Sequence, residues 1–156
     1  MSTLDVRPAT RADSGAWLRM RRALWPEHEG ESHAREIDQY FAGELREPVE
    51  VLIAFDGAGV PVGLAELSIR SHAEGCATGR VAYLEGWYVE PHVRRTGLGR
   101  SLIAAAERWA IAQGCTEFAS DAEIDNAISA AAHHALGFDE VERLRCFRKA
   151  LTGSSM

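Results

Sequence analysis

Between residues 81 and 113 the chain runs from a β-rich stretch through a basic turn and two glycines into a long amphipathic segment. The turn reads Val89-Glu90-Pro91-His92-Val93-Arg94-Arg95-Thr96-Gly97-Leu98-Gly99-Arg100. A helix that starts after such a turn leaves its first amides without internal acceptors, and its dipole favours an anion there. Glycines at 97 and 99 let the backbone approach a phosphate with no Cβ in the way. Arg94, Arg95 and Arg100 add positive charge. A strand, an anion-gripping turn and a long helix commit the chain to an α/β architecture. Two other phosphate motifs are excluded: the Walker loop needs a Gly-Lys pair, and the dinucleotide fingerprint fails at Leu102, where it needs a third glycine. A bare Gly-x-Gly would favour a basic, glycine-capped turn with no ligand. R-x-x-G-x-G between a strand and an amphipathic helix favours the ligand.

The remaining pattern supplies ten elements in the order β-α-α-β-β-β-α-β-α-β. Residues 4–7 open as a strand, and Thr10 caps a helix, with Asp13 standing in for the capping-box acid. That helix runs to Trp25-Pro26. Residues 27–32 read as a polar, acidic loop, and Ser32 starts a second helix with Ile37, Tyr40 and Phe41 on one side. Residues 49–55 and 62–69 form a hairpin through Asp56-Gly57, residues 72–80 a loop, and residues 81–89 the next strand. The helix over 97–113 puts Leu98, Leu102, Ile103, Ala106 and Trp109 on one stripe and ends at Gly114. A short strand over 117–120 follows, then a helix capped by Asp125 or Asn126, and a last strand over 141–151. No repeat or linker divides the chain, so we expect one domain over 1–151 and a flexible tail over 152–156.

Composition narrows the function. With 156 residues, the chain is long enough to bury a core without disulfides or metal. Its formal net charge of -6 argues against a general nucleic-acid or anionic-membrane surface and suits a cationic substrate. Three scattered cysteines fit a reduced, cytoplasmic protein. No stretch reaches the length of a membrane span, and no signal-peptide core is evident at the start. The histidines form no metal-ligand spacing, so no metal is expected.

The 94–99 loop resembles the coenzyme A loop of the GNAT superfamily of N-acetyltransferases. Asn126-Ala127-Ile128-Ser129 with His133-His134-Ala135-Leu136-Gly137-Phe138 is similar to that family's later helix. Within the superfamily, Leu24-Trp25-Pro26, Leu84-Glu85-Gly86, Ala119-Ser120-Asp121 and the Glu142-Arg143…Arg148-Lys149 ending resemble the aminoglycoside 6′-N-acetyltransferases in order and spacing. The resemblance implies a mixed sheet whose fourth and fifth strands splay apart around acetyl-coenzyme A, flanked by about four helices. It implies cofactor contacts from Arg94, Arg95, Thr96, Gly97, Leu98, Gly99, Arg100 and Asn126, and from the backbone of Tyr88 and Val89. It implies direct acetyl transfer to the 6′-amine of an aminoglycoside, as in a resistance enzyme, and a possible homodimer paired through the C-terminal strand.

Several site residues carry two readings. Glu85, an acid on a strand of apolar and aromatic residues, either meets a substrate ammonium and accepts its proton or forms an internal salt bridge with an arginine. Asp121 ends a strand where open sheets place ligand groups, or is a turn aspartate. Trp25 walls a sugar ring or closes a helix in the core. His133 occupies the slot where many relatives have a tyrosine acid; otherwise it is a hydrogen-bonded structural histidine. The aminoglycoside branch often carries a tyrosine acid near the end of the last strand, and Phe147 stands there instead, with no proton to give. Other acceptors (a polyamine, an amino acid or a protein N-terminus) and a non-catalytic coenzyme A-binding module are the alternatives.

Overall fold

The computed structural model describes residues 5–151. Five strands form one sheet in the order β1-β2-β3-β4-β5. They are β1 (Asp5–Pro8), β2 (Glu50–Phe55), β3 (Pro61–Arg70), β4 (Val81–Val89) and β5 (Phe118–Ser120). The first four are antiparallel to their neighbours, and β5 joins β4 in parallel. Four α-helices accompany them: α1 (Ser14–Leu24), α2 (Gly30–Phe41), α3 (Leu98–Ala112) and α4 (Ala127–Ala135). Residue 4 of the expected first strand and the expected tail over 152–156 lie outside the described residues.

The period-two pattern of β2 and β3 sends alternate side chains to opposite faces, and a helical layer covers each. On one face Leu52, Ala54, Ala65, Leu67 and Leu84 pack against Leu98, Leu102, Ile103 and Ala106 of α3, which is the stripe read from sequence. On the other, Val51, Ile53, Phe55 and Leu64 pack against Trp17, Met20 and Ile37 of α1 and α2. Gly63 marks the tightest approach of α3: a Cβ there would lie 2.7 Å from Leu98.

The α1–α2 face also carries a buried charge cluster. Glu66 of β3 is 1% exposed. Its Oε2 accepts from Trp17 Nε1 at 2.8 Å and Arg21 Nε at 2.7 Å, and its Oε1 accepts from Arg21 Nη2 at 3.1 Å. Arg21 also pairs with Glu36 of α2. Removing one partner of such a pair typically costs about 3–5 kcal/mol, because the other charge is left buried and unmatched. The cluster ties both helices to the middle of the sheet.

Three sequence expectations are corrected. The acidic loop is shorter than 27–32, because α2 begins at Gly30, ahead of Ser32. The fifth strand is Phe118–Ser120 rather than 117–120; Glu117, just ahead of it, accepts from Ala82 N through its carbonyl and turns its carboxylate onto the Ala77 and Thr78 amides of the 72–80 loop. Most important, 141–151 forms no strand. After Gly137 this segment crosses the 72–80 loop, where a Cβ on Gly75 would lie 2.6 Å from Val141, and then runs exposed. A strand needs a neighbour to pair its backbone groups, and no described strand of the chain lies beside it.

Candidate active site

Strands β4 and β5 pair only through Ala82↔Phe118, Tyr83↔Ala119 and Leu84↔Ser120. Beyond Leu84 and Ser120 they part, so the expected splay is present, and residues 85–89 of β4 line its opening. A β-bulge falls at the same point: Leu67 pairs with Leu84 and Glu66 with Gly86, leaving Glu85 without a partner on β3. A bulge re-aims side chains. Alternation keeps Glu85 on the face of Arg70 and Tyr83, and the bulge brings Gly86 to that same face and sends Trp87 to the α3 side.

Glu85 is held by Arg70. The guanidinium grips it with two parallel bonds, Nη2–Oε1 at 2.7 Å and Nε–Oε2 at 3.0 Å. The internal salt bridge is therefore the state of this residue in the structure, with its side chain 20% exposed. The hydrogen bonds to Glu85 push Arg70 above its ordinary value. The same guanidinium carbon lies 3.6 Å from the centroid of the Tyr83 ring. Tyr83 Oη in turn donates to Asp121 Oδ2 at 2.9 Å. Burial, followed by the bond to Asp121, raises the phenol far above the usual tyrosine range, so it remains a neutral donor. A cavity of about 370 Å³ opens at the Arg70 end, lined by Arg46, Glu47, Ile69, Arg70, Ser71 and His72.

Trp25 follows the last turn of α1 and is half-buried. Its indole lies against Gly86: a Cβ at 86 would sit 2.7 Å from Trp25 Cη2. The Arg21 guanidinium stands 5.3 Å from the Trp25 ring, and His33 Nε2 is 3.2 Å from the Trp25 carbonyl. Trp25 is thus anchored against β4 and α2, as its core reading expects, and stays half-buried.

His133 sits at the vertex of the splay. Its Nε2 lies 2.9 Å from Ser120 Oγ, and its Nδ1 lies 2.7 Å from the Ser129 carbonyl. The carbonyl can only accept, which assigns the ring proton to Nδ1 and leaves Nε2 to accept from Ser120. Its ring meets Trp87 edge-on at 5.4 Å. Asn126 does not reach toward the 94–99 loop with its side-chain oxygen: Oδ1 caps α4 by accepting from Ser129 N at 3.0 Å.

The basic turn has the geometry its sequence requires. Arg95 has φ 67° and Gly97 φ 89°. The first α3 bond runs from Ser101 N to Gly97 O, which leaves the amides of Leu98, Gly99 and Arg100 ahead of the helix ladder. Leu98 buries its side chain in the core and can offer only backbone. Gly99 has a second reason to be glycine: a Cβ there would meet the Trp87 ring at 3.3 Å. Thr96 turns its hydroxyl onto the Val93 carbonyl at 2.5 Å, and Arg94 Nε binds the Val89 carbonyl at 2.8 Å. Arg94, Arg95 and Arg100 are exposed around the turn. Buried Trp87 Nε1 has no hydrogen-bond partner among the described residues. An orphan donor and free helix amides beside exposed arginines fit a phosphorylated ligand.

Sequence reasoning missed Arg70, Tyr83 and Ser120. Tyr83 was legible in principle, since it precedes Glu85 by two on a strand. Arg70 and Ser120 are brought in by strand pairing and leave no local signal.

The residue pattern and the fold both match known proteins. A model of the Acetyltransferase (GNAT) family matches residues 17–138. An aminoglycoside N(6′)-acetyltransferase type 1 from Klebsiella aerogenes is 51% identical over 146 residues, covering 94% of this chain and 96% of that protein. One from Acinetobacter genomosp. 13 is 39% identical over 147 residues, covering 94% and 98%. Among solved structures, aminoglycoside N-acetyltransferase AAC(6′)-Iy in complex with CoA superimposes with a TM-score of 0.88 at 36% identity, covering 97% of each chain. The same enzyme with a bisubstrate analogue, CoA-S-monomethyl-acetylneamine, gives 0.87 at 35% identity, covering 96% and 99%.

Proposed function

Because this chain belongs to the Acetyltransferase (GNAT) family, we propose that it transfers the acetyl group of acetyl-coenzyme A directly to the 6′-amine of an aminoglycoside, as a resistance enzyme of the cytoplasm. One observation carries the reading. Glu85 is the first residue of β4 beyond its pairing with β5, Asp121 is the first residue after β5, and Gly99 of the anion turn packs on Trp87 two residues further on. Two carboxylates for a cation and a cradle for a diphosphate therefore flank one opening. The curated relatives named as 6′-acetyltransferases support the choice of acceptor.

When bound, acetyl-coenzyme A supplies an acyl group already activated as a thioester. The amides of Leu98, Gly99 and Arg100, with Arg94, Arg95 and Thr96, would hold its diphosphate, and Asn126 would meet it from α4. Backbone groups of Tyr88 and Val89 would bind the arm and polarise the carbonyl; one such donor is worth about 10²–10³ in rate where measured. Asp121 and Glu85 bind the acceptor as a cation, and Trp25 covers the apolar face of a sugar ring. Glu85 takes the ammonium proton, directly or through water. As the imidazolium, His133 would pass its Nε2 proton through the Ser120 hydroxyl to the leaving thiolate. Phe147 takes no part in proton transfer, and with an ordinary thiol pKa of about 8.5 the thiolate departs readily, the proton from His133 following it. Aligning two bound reactants contributes several kcal/mol.

The domain spans 1–151, and its working form is a homodimer. Val141, Leu144, Phe147 and Leu151 are 62%, 54%, 90% and 87% exposed, a cost that a second copy would relieve. Among the described residues β5 has only β4 as a neighbour, and α4 buries no residue. The segment is basic at Arg143, Arg145, Arg148 and Lys149, and the turn after β5 is acidic at Glu123 and Asp125. Pairing of 141–151 along the partner's β5 edge suits both features.

The test is thiol release from acetyl-coenzyme A with kanamycin A, spermidine and a peptide N-terminus as acceptors. Rapid turnover of kanamycin A alone is expected. Preference for spermidine or peptide would move the enzyme to another amine, and no turnover with any acceptor would leave a binding module. Glu85→Gln should lower turnover sharply while calorimetry shows normal coenzyme A binding; unchanged turnover removes Glu85 from the mechanism.

A further inference from the structure

Two acidic groups face the splay, and neither stands alone. Glu85 lies in a bidentate grip with Arg70, and Asp121 accepts from Tyr83. The two grips are connected, because the Arg70 guanidinium stacks on the Tyr83 ring at 3.6 Å. The result is a continuous chain, Glu85–Arg70–Tyr83–Asp121, that crosses from β4 to β3, back to β4 and on to the end of β5. Tyr83 is 4% exposed, so its hydroxyl has little water to compensate a lost partner.

From this we infer that Arg70 and Tyr83 are positioning residues for the acceptor, holding the two carboxylates at a fixed separation and orientation so that they grip two ammonium groups of one substrate. The inference rests on Glu85 and Asp121 being acceptor ligands. Each carboxylate keeps capacity after its internal bonds: an ionised carboxylate offers about four lone-pair sites. Arg70 uses one site on each Glu85 oxygen, and Tyr83 uses one on Asp121, whose residue is exposed. A flexible pair of carboxylates would pay rotamer entropy on every binding event, whereas a clamped pair has lost it on folding. The clamp also explains why a cation sits in a site for cations. Arg70 fixes Glu85 through two parallel N–H groups, and its own charge is shared between that carboxylate and the face of Tyr83.

The test uses the full chain with acetyl-coenzyme A and kanamycin A in steady-state kinetics. Tyr83→Phe keeps the ring under Arg70 and removes only the bond to Asp121. The acceptor KM should rise about tenfold, the size expected for one hydrogen bond to a charged group. The kcat and the KM for acetyl-coenzyme A should stay within twofold, which also certifies the fold. Tyr83→Phe combined with Asp121→Asn should be no worse than Asp121→Asn alone, because both act through the same carboxylate. Arg70→Lys keeps the charge but loses the fork, and should lower kcat/KM for the acceptor with coenzyme A binding unchanged. A raised KM for Asp121→Asn beside parent-like kinetics for Tyr83→Phe and Arg70→Lys would overturn the positioning roles and leave the acceptor site intact. Additive effects in the double variant would overturn the Tyr83–Asp121 link. A parent-like acceptor KM for Asp121→Asn would instead remove Asp121 from the acceptor site, and the inference with it.

Discussion

Gly86 lies so close against the Trp25 indole that a Cβ at 86 would come within 2.7 Å of Cη2 and 3.0 Å of Cζ2. Leu24 Cδ2 would also lie at 3.0 Å. Position 86 on β4 therefore sets where Trp25 stands above the sheet, next to Glu85.

Gly86→Ala should displace the indole, and the Arg21 and His33 contacts oppose its movement. Overpacking of this kind typically costs about 1–3 kcal/mol. A lower thermal midpoint, together with a higher acceptor KM and an unchanged KM for acetyl-coenzyme A, is the expected pattern. A parent-like acceptor KM would show that Trp25 is packing alone.

Gly97 stands at φ 89° with open space around its missing Cβ, so its constraint is the backbone and not a neighbour. Gly97→Ala should cost about 1 kcal/mol in stability through left-handed strain. It should also weaken coenzyme A binding, because relaxing that angle re-aims the amides of Leu98 and Gly99. Calorimetry of the binding, beside a thermal melt, reads both. Full affinity in the alanine variant would place the diphosphate elsewhere.

The exposed apolar residues of 141–151 predict a change of mass. Leu144→Asp with Phe147→Asp should give a particle of monomer size by light scattering, against a dimer for the parent. Equal masses for the two proteins would dissociate this segment from assembly.

Glu117 accepts from Ala77 N, Thr78 N and Thr78 Oγ1, and these bonds, the Thr78 side chain first, hold its carboxyl below the usual glutamate range. A depressed folded value stabilises the ionised form of the fold. The contribution is complete above the unfolded glutamate value, about 4.3, and is lost as pH falls through the lowered value. Glu117→Gln should melt below the parent at neutral pH, and the gap should close on acidification. A gap independent of pH would mean that the glutamine loses packing and not charge.

How much of this was legible in the sequence depends on the range of the force involved. The anion turn, the α3 stripe, the caps at Gly114 and Asn126 and the hairpin at Asp56-Gly57 are local, set by backbone conformations and periodicities within a few residues. They determined the α/β class, and the turn at 94–99 determined the kind of ligand. Tertiary structure decided what pairs with what. Arg70 reaches Glu85 only because β3 and β4 pair antiparallel, and Tyr83 meets Asp121 only because β5 returns beside β4. The fate of 141–151 was decided in the same way. Its residues have strand character, but a strand exists only when another backbone lies alongside, and no local property of the segment supplies that neighbour.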